Sequence, residues 1–191
     1  MSHDPAPTDD AALSHDPALP YDPGAELVAV LDDAGQPCGV ATRAQIRQGN
    51  LLHGATAILV RRNDGSIYVH RRTATKDIYP GVHDCWAGGV LAANETADNG
   101  ALRELAEELG ITGVSLTPLL TTLWSDHQVR AIYHAYTVTW DGPIIHQPEE
   151  VAWGEWWSPQ ALAERLADPT FEFVPDGRRL LELAGVLPAS D

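Results

Sequence analysis

The chain has 191 residues, 44% hydrophobic and 20% charged, enough for one domain with its own core. Its 27 acidic against 12 basic side chains give a formal charge of −15, a field that repels nucleic acid and anionic membrane surfaces. Cys38 and Cys85 make neither a CxxC pair nor a disulfide framework, no apolar run approaches a membrane span, and the first residues show no secretory pattern, so a cytoplasmic protein is expected.

Residues 1–24 hold five prolines and repeat Ser2-His3-Asp4-Pro5-Ala6 as Ser14-His15-Asp16-Pro17-Ala18. With almost no large apolar side chain, this stretch cannot offset its ordering entropy and reads as a disordered tail. A folded domain is expected over 25–188. Leu27–Leu31 reads as a strand and 32–35 as a turn, and Thr42 is placed to cap a short helix reaching Gln48. Strands at 55–60 and 67–70 flank Asn63-Asp64-Gly65-Ser66, a hairpin signal. Just beyond, Arg71, Arg72 and Lys76 form a basic island in a very acidic chain, a candidate for holding a diphosphate.

A helix is expected over 96–109, with Gly110 placed to end it and an apolar stripe of Ala97, Ala101, Leu102, Leu105, Ala106 and Leu109. Strands follow near 114–124, 130–140 and 151–157, then helices near 159–167 and 176–184. The elements mix without strict βαβ alternation, which indicates the α/β class with a mixed sheet and helices on its faces. Trp156 and Trp157 are expected to pack on the last strand, and Trp124-Ser125-Asp126-His127 to lie in a loop. The eight histidines show no metal-ligand spacing, and no serine-nucleophile, phosphate-loop or dinucleotide pattern occurs.

The residues of the middle helix argue for metal chemistry on their own. Glu104 and Glu108 stand one turn apart, with Glu107 beside them. Like charges at this spacing destabilise a helix by roughly 0.2–0.5 kcal/mol per pair, and the helix C-terminus disfavours anions further. A sequence that breaks two local rules together marks a functional site. A hard divalent cation with oxygen ligands would remove the penalty.

The stretch GVLAANETADNGALRELAEELGI runs from Gly89 through Glu95, then seven residues, to Arg103-Glu104-Leu105-Ala106-Glu107-Glu108-Leu109-Gly110-Ile111. It matches every specified position of the Nudix box, and the chain resembles the Nudix hydrolases over roughly residues 26–185. The resemblance implies an α/β/α sandwich with a mixed sheet. It also implies Mg²⁺ (or Mn²⁺) held by Glu104, Glu107 and Glu108, with the Gly88 carbonyl as a further ligand. Glu95 would pair with Arg103 to clamp the loop to the helix, between the structural glycines Gly89 and Gly110. The general base would be a box glutamate, Glu104 or Glu107, or Glu149 or Glu150 of a later loop. The implied partner is a small-molecule diphosphate, such as a nucleoside diphosphate linked to a further group, and not a nucleic acid or a membrane.

The run from Val69 to Gly81, with Leu52-His53 and Phe173-Val174-Pro175-Asp176, looks like the branch that includes isopentenyl-diphosphate isomerase. That activity is one alternative. Its catalytic cysteine falls on Gly88, however, and two of its metal-binding histidines fall on Val90 and Ile46. A non-catalytic ligand sensor is the other alternative, and such domains typically lose box carboxylates that this chain retains.

Overall fold

The computed structural model describes residues 22–187, so the repeat-bearing stretch lies outside the described residues. Of the expected tail, Asp22, Pro23 and Gly24 are ordered. Pro23–Ala25 form a single 3-10 turn, and Asp22 Oδ1 caps it by accepting from Gly24 N at 2.9 Å. The strands are β1 (Leu27–Leu31), β2 (Pro37–Thr42), β3 (His53–Arg61), β4 (Ile67–Arg72), β5 (His83–Asp84), β6 (Trp86–Ala87), β7 (Thr117–Ser125), β8 (Arg130–Thr139) and β9 (Val151–Trp157). The helices are α1 (Arg43–Gly49), α2 (Ala97–Leu109), α3 (Pro159–Ala167) and α4 (Pro175–Ala184).

The local signals act where the residues place them. Thr42 caps α1 in a reciprocal box with Gln45, and Asn50 ends it in the left-handed region. Thr96 caps α2 and Gly110 ends it at φ 67°. β2, β5 and β6 carry no sequence signal. β2 holds Pro37 and Gly39, is largely exposed, and owes its form to antiparallel pairing with β1. β5 and β6 have two residues each, too few to show a period. Trp124 and Ser125 extend β7 rather than lying in a loop, and Asp126 closes the turn to β8 by accepting from the backbone at Gln128 and Val129.

The sheet is mixed: β3 and β8 run parallel from His53–Ala131 to Arg61–Thr139, the other strand pairs are antiparallel, and a single parallel bridge joins His83 to Phe173. β3 and β4 leave the hairpin paired only at Arg61 and Ile67 and then separate. The edge of β3 so released is taken up by β6, then by Thr56 N donating to Gly89 O and the bridge of Ala55 to Val90. β4 turns to β9 and β5 instead. The separation of β3 from β4 opens a cleft with Gly88 and Gly89 at its waist.

Helices cover both faces. α2 buries Ala101, Leu105 and Leu109 against Ile58, Val60 and Tyr136 on one side. α3 and α4 bury Leu162, Leu166, Leu180 and Leu181 against Leu59, Val69 and Trp86 on the other. This is the α/β/α arrangement. Leu102, expected in the apolar stripe of α2, is instead 39% exposed. It sits one position off the buried face, where Glu104 and Glu108 are found. Trp156 packs edge-on against Tyr68 at 5.0 Å, with Arg62 over its ring, and Trp157 packs against Phe171.

Leu105 is fully buried at the centre of the α2 contact. Leu105→Ala is expected to destabilise the fold by about 2–5 kcal/mol, read as a shift of the urea midpoint at unchanged slope.

Candidate active site

The site is built where α2 meets the waist of the cleft. The two glycines there let the backbone come close to β3 on one side and to the Glu104 carboxylate on the other. At Gly88, with φ +148°, an added Cβ would lie 2.2 Å from the Thr56 carbonyl oxygen. At Gly89 it would lie 2.6 Å from Glu104 Oε1. Gly100, inside α2 and unfavourable for a helix by about 1 kcal/mol, has the same reason to exist. A Cβ on it would lie 2.4 Å from Leu91 Cδ2 and press on the Glu95 carboxylate.

Arg103 locks this contact. Its Nε and Nη2 donate to the two oxygens of Glu95 at 2.8 and 2.9 Å, a bidentate pair. Its Nη1 donates to Glu104 at 2.8 Å and to Glu107 at 3.1 Å. Glu95 also accepts from Ala92 N at 3.2 Å, so the loop, the carboxylate and the helix are one unit. Hydrogen bonds from Arg103 hold the Glu95 carboxyl below the usual carboxylate range.

Glu104 and Glu108 are 9% and 5% exposed, whereas the Glu107 side chain is 51% exposed. Burial pushes Glu108 up to about 8, and Glu104 beside it adds to the rise. Burial likewise raises Glu104, against the pull of Arg103. Glu108 accepts from Gly88 N at 3.1 Å and is in no ion pair among the described residues. The sequence reading put all three box glutamates on one arc. The structure keeps Glu104 and Glu108 together and turns Glu107 outward onto Arg103. As they stand, no three acidic, histidine or cysteine side chains among the described residues converge on one point. The donor set nonetheless fits a hard cation: two buried carboxylates, all ligand atoms oxygen, beside the Gly88 backbone at the edge of a cleft.

The facing wall is the 147–150 loop. Ile145 N and Gln147 N donate to the Leu109 and Glu108 carbonyls at 3.0 and 3.1 Å, which satisfies the open end of α2 and fixes the loop beside it. Thr73 holds the Glu149 and Glu150 carbonyls from the other side. Glu150 itself is ion-paired to Lys76, and Glu149 lines the same space.

The basic island divides. Arg72 and Lys76 line the cleft, whereas Arg71 is exposed and donates to Gly81 O at 2.7 Å, away from it. Successive strand residues point to opposite faces, so Arg71 and Arg72 could not both face the cleft. In its place α1 supplies Arg43 and Arg47, which sequence reasoning missed because they lie about thirty residues from the island. Arg47 Nε lies 3.2 Å from Asp77 but without hydrogen-bond geometry.

The positions that separate this site from the isomerase pattern are structurally explained. Ile46 and Val90 sit in an apolar cluster with Val28. Cys85 is buried in the core, and burial raises its thiol well above the ordinary range. His53 lines the cleft, is held by the Leu51 carbonyl at 2.8 Å, and burial pushes it down to about 4.

A model of the NUDIX domain matches residues 51–177. A Nudix hydrolase of Rhodococcus erythropolis is 46% identical over 169 residues, covering 83% of this chain and 91% of its own length. The Nudix hydrolase YfcD of Escherichia coli K12 is 35% identical over 158 residues, covering 83% and 86%. Among solved structures, DR0079 from Deinococcus radiodurans aligns with a TM-score of 0.70 at 24% identity, covering 84% of this chain and 98% of that one. The NUDIX domain of Shewanella oneidensis NrtR, solved with ADP ribose, aligns at 0.52 and 21% identity, covering 70% and 85%. These two likenesses speak to the fold. No helix among the described residues is long and apolar enough to cross a membrane.

Glu95→Gln is expected to lower stability by about 1–2 kcal/mol, since it breaks a bidentate, largely shielded pair. It should also make the amides of 91–96 exchange faster, because that loop is held through Glu95. Unchanged exchange by mass spectrometry would show that the clamp is ornamental.

Proposed function

This chain belongs to the Nudix family of hydrolases, and from that premise we propose that it uses Mg²⁺ (or Mn²⁺) to cleave the pyrophosphate link of a small diphosphate compound. A nucleoside diphosphate carrying a further group, or a related organic diphosphate, is the substrate class. The observation that carries this reading is Glu108: a buried carboxylate, pushed up to about 8, one helical turn from Glu104 and bordering a cleft that Arg43 and Lys76 also line.

The family works with divalent metal ions, and here Glu104 and Glu108 would hold one, with Glu107 and the Gly88 carbonyl beside them. Such an ion supplies charge neutralisation at the phosphate oxygens and a more acidic bound water. The remaining work falls to the chain. Arg43, Lys76 and Arg72 draw the anionic substrate into a protein whose net charge repels it. A carboxylate takes the proton of the attacking water as oxygen bonds to phosphorus and the bridging oxygen leaves with its electron pair. Glu150, held over the cleft by Lys76, and Glu107, at the rim on Arg103, are the candidates outside the buried pair, and Glu104 is the candidate within it. The retained box carboxylates favour an enzyme over a sensor. A cysteine at position 88 has no room for its Cβ, and apolar residues occupy 46 and 90, which together disfavour isomerase chemistry.

A panel of nucleotide sugars including ADP-ribose, dinucleotides, nucleoside triphosphates and simple phosphomonoesters tests this. Products that become phosphatase-sensitive only after enzyme treatment are expected with the nucleotide sugars and dinucleotides, release of phosphate or pyrophosphate without phosphatase with the triphosphates, and neither with the phosphomonoesters. Glu108→Gln should lower turnover by ~10²-fold or more and weaken metal-dependent thermal stabilisation. Glu150→Gln and Glu107→Gln run alongside separate a loop base from a rim base. Conversion of isopentenyl diphosphate to its dimethylallyl isomer at enzymatic rates would overturn the assignment.

A further inference from the structure

The cleft does not end at the box carboxylates. Past Gly88 and Gly89 it continues, between β5 and the start of α4, into a cavity of about 80 Å³. Its lining changes sign along its length. Arg43 and Lys76 are shared with the carboxylate end, and Arg47 and Arg72 follow. Beyond them lie Asp84, Asp176 and Tyr133.

The two aspartates are each 5% exposed, and neither is in an ion pair among the described residues. Asp84 Oδ1 accepts from the Cys85 and Trp86 amides at 2.7 and 3.1 Å, and its other oxygen accepts no hydrogen bond among the described residues. Asp176 accepts from Gly177 N at 3.0 Å and from the Tyr133 hydroxyl. Gly177 brings the two together: a Cβ there would lie 2.7 Å from Asp84 Oδ1. Burial pushes Asp84 up to about 7, with Arg72 opposing and Asp176 adding to the rise, and burial raises Asp176 as well. The fold thus keeps two buried carboxyls, one with an unused oxygen, in the wall of an open cavity, although apolar residues would line it at lower cost. None of this serves the hydrolysis of a phosphoanhydride.

We propose that this inner cavity is a specificity subsite for a compact group bearing a hydrogen-bond donor, a hydroxyl or an amine, on the organic end of the substrate, with Asp84, Asp176 and Tyr133 as the residues that read it. The inference rests on the reading of the outer cleft as a diphosphate site. The basic lining takes the diphosphate, and the acidic end takes the donor. A cavity of this size holds on the order of five waters, which suits a group of a few non-hydrogen atoms. Within the diphosphate class this selects small polar diphosphate esters whose organic group enters the cavity. A hydrocarbon tail of equal length leaves the acidic end unsatisfied and is selected against.

The test uses butyl, 4-hydroxybutyl and 4-aminobutyl diphosphate with Mg²⁺ and the full chain. The methylene-bridged analogues of the three are titrated calorimetrically in parallel. At least one donor-bearing compound is expected to exceed the butyl compound ~30-fold in kcat/KM, and its analogue to bind correspondingly tighter. Asp84→Asn keeps the oxygen that holds the two amides, so folding should survive. In this variant, in Asp176→Asn and in Tyr133→Phe, the ratio between donor-bearing and butyl compounds should fall at least fivefold. Equal kcat/KM for all three compounds, or a preference untouched by both Asn variants, overturns the subsite. Turnover of nucleotide diphosphates with no binding of any of the three overturns it while leaving the hydrolase reading intact. Asp84-dependent binding of a donor-bearing analogue, with nothing hydrolysed, supports the subsite and overturns the hydrolase.

Discussion

The rest of the site depends on how closely α2 lies on the backbone at Gly88 and Gly89. Missing side chains favour that approach. A Cβ at Gly88 would meet the Thr56 carbonyl of β3 and push this backbone off the sheet, and a Cβ at Gly89 or Gly100 would displace the Glu104 carboxylate or the Leu91 side chain. The approach places Glu104 and Glu108 out of water, and the Glu95–Arg103 pair then holds the loop to the helix. A carboxylate in water would bind a hard cation weakly because water competes for it. One already stripped of water, and destabilised by its neighbour, gains more from the same cation. The glycines, the clamp and the raised carboxyls are therefore one device.

Much of this was legible in the residues, and the parts that were not fail for identifiable reasons. Elements with a cap or a clear period, such as α1 with Thr42 and α2 between Thr96 and Gly110, lie where the sequence reading puts them. β2, β5 and β6 owe their existence to pairing across the chain, which no local pattern records. The site divides the same way. Glu104 and Glu108 are grouped by helical spacing, and the Glu95–Arg103 pair is what the resemblance to the family motif implies. Arg43 and Arg47 reach the cleft from α1, and Asp84 and Asp176 meet through Gly177, contacts that only the tertiary fold creates. Glu107 shows the limit of spacing itself. Its place on the helix matches the motif, but Arg103 draws its side chain to the rim.

Net charge and local charge also part company here. A formal charge of −15 argues against anionic partners in general. The inner part of the cleft offsets that sign locally with four cationic side chains, Arg43 and Arg47 of α1, Arg72 at the end of β4 and Lys76 beyond it, whereas the outer part is lined mainly by glutamates. A cleft with low-dielectric walls focuses such a local field, so a small anion feels the lining more than the distant surface. An extended polyanion lies across the surface as well and feels both. The same distribution therefore favours a small anion over a nucleic acid backbone.

Buried carboxyls stand at both ends of this cleft, and they have different reasons to be there. At the α2 end, Glu104 and Glu108 are spaced by a helix turn, so their separation is rigid and suits a point charge between or beside them. At the α4 end, Asp84 and Asp176 come from different elements, and each spends one oxygen on backbone amides of its own loop or helix start. Asp176 spends its other oxygen on the Tyr133 hydroxyl, which leaves one directional acceptor on Asp84 rather than a cage, a geometry suited to a hydrogen bond from a group whose position is already set by its diphosphate. Each pair lowers the stability of the fold, since apolar residues of similar volume would pack without any desolvation cost. On the proposed reading, a chain that tolerates this cost at two points of one cleft would use the first to act on the phosphoanhydride and the second to choose what is attached to it.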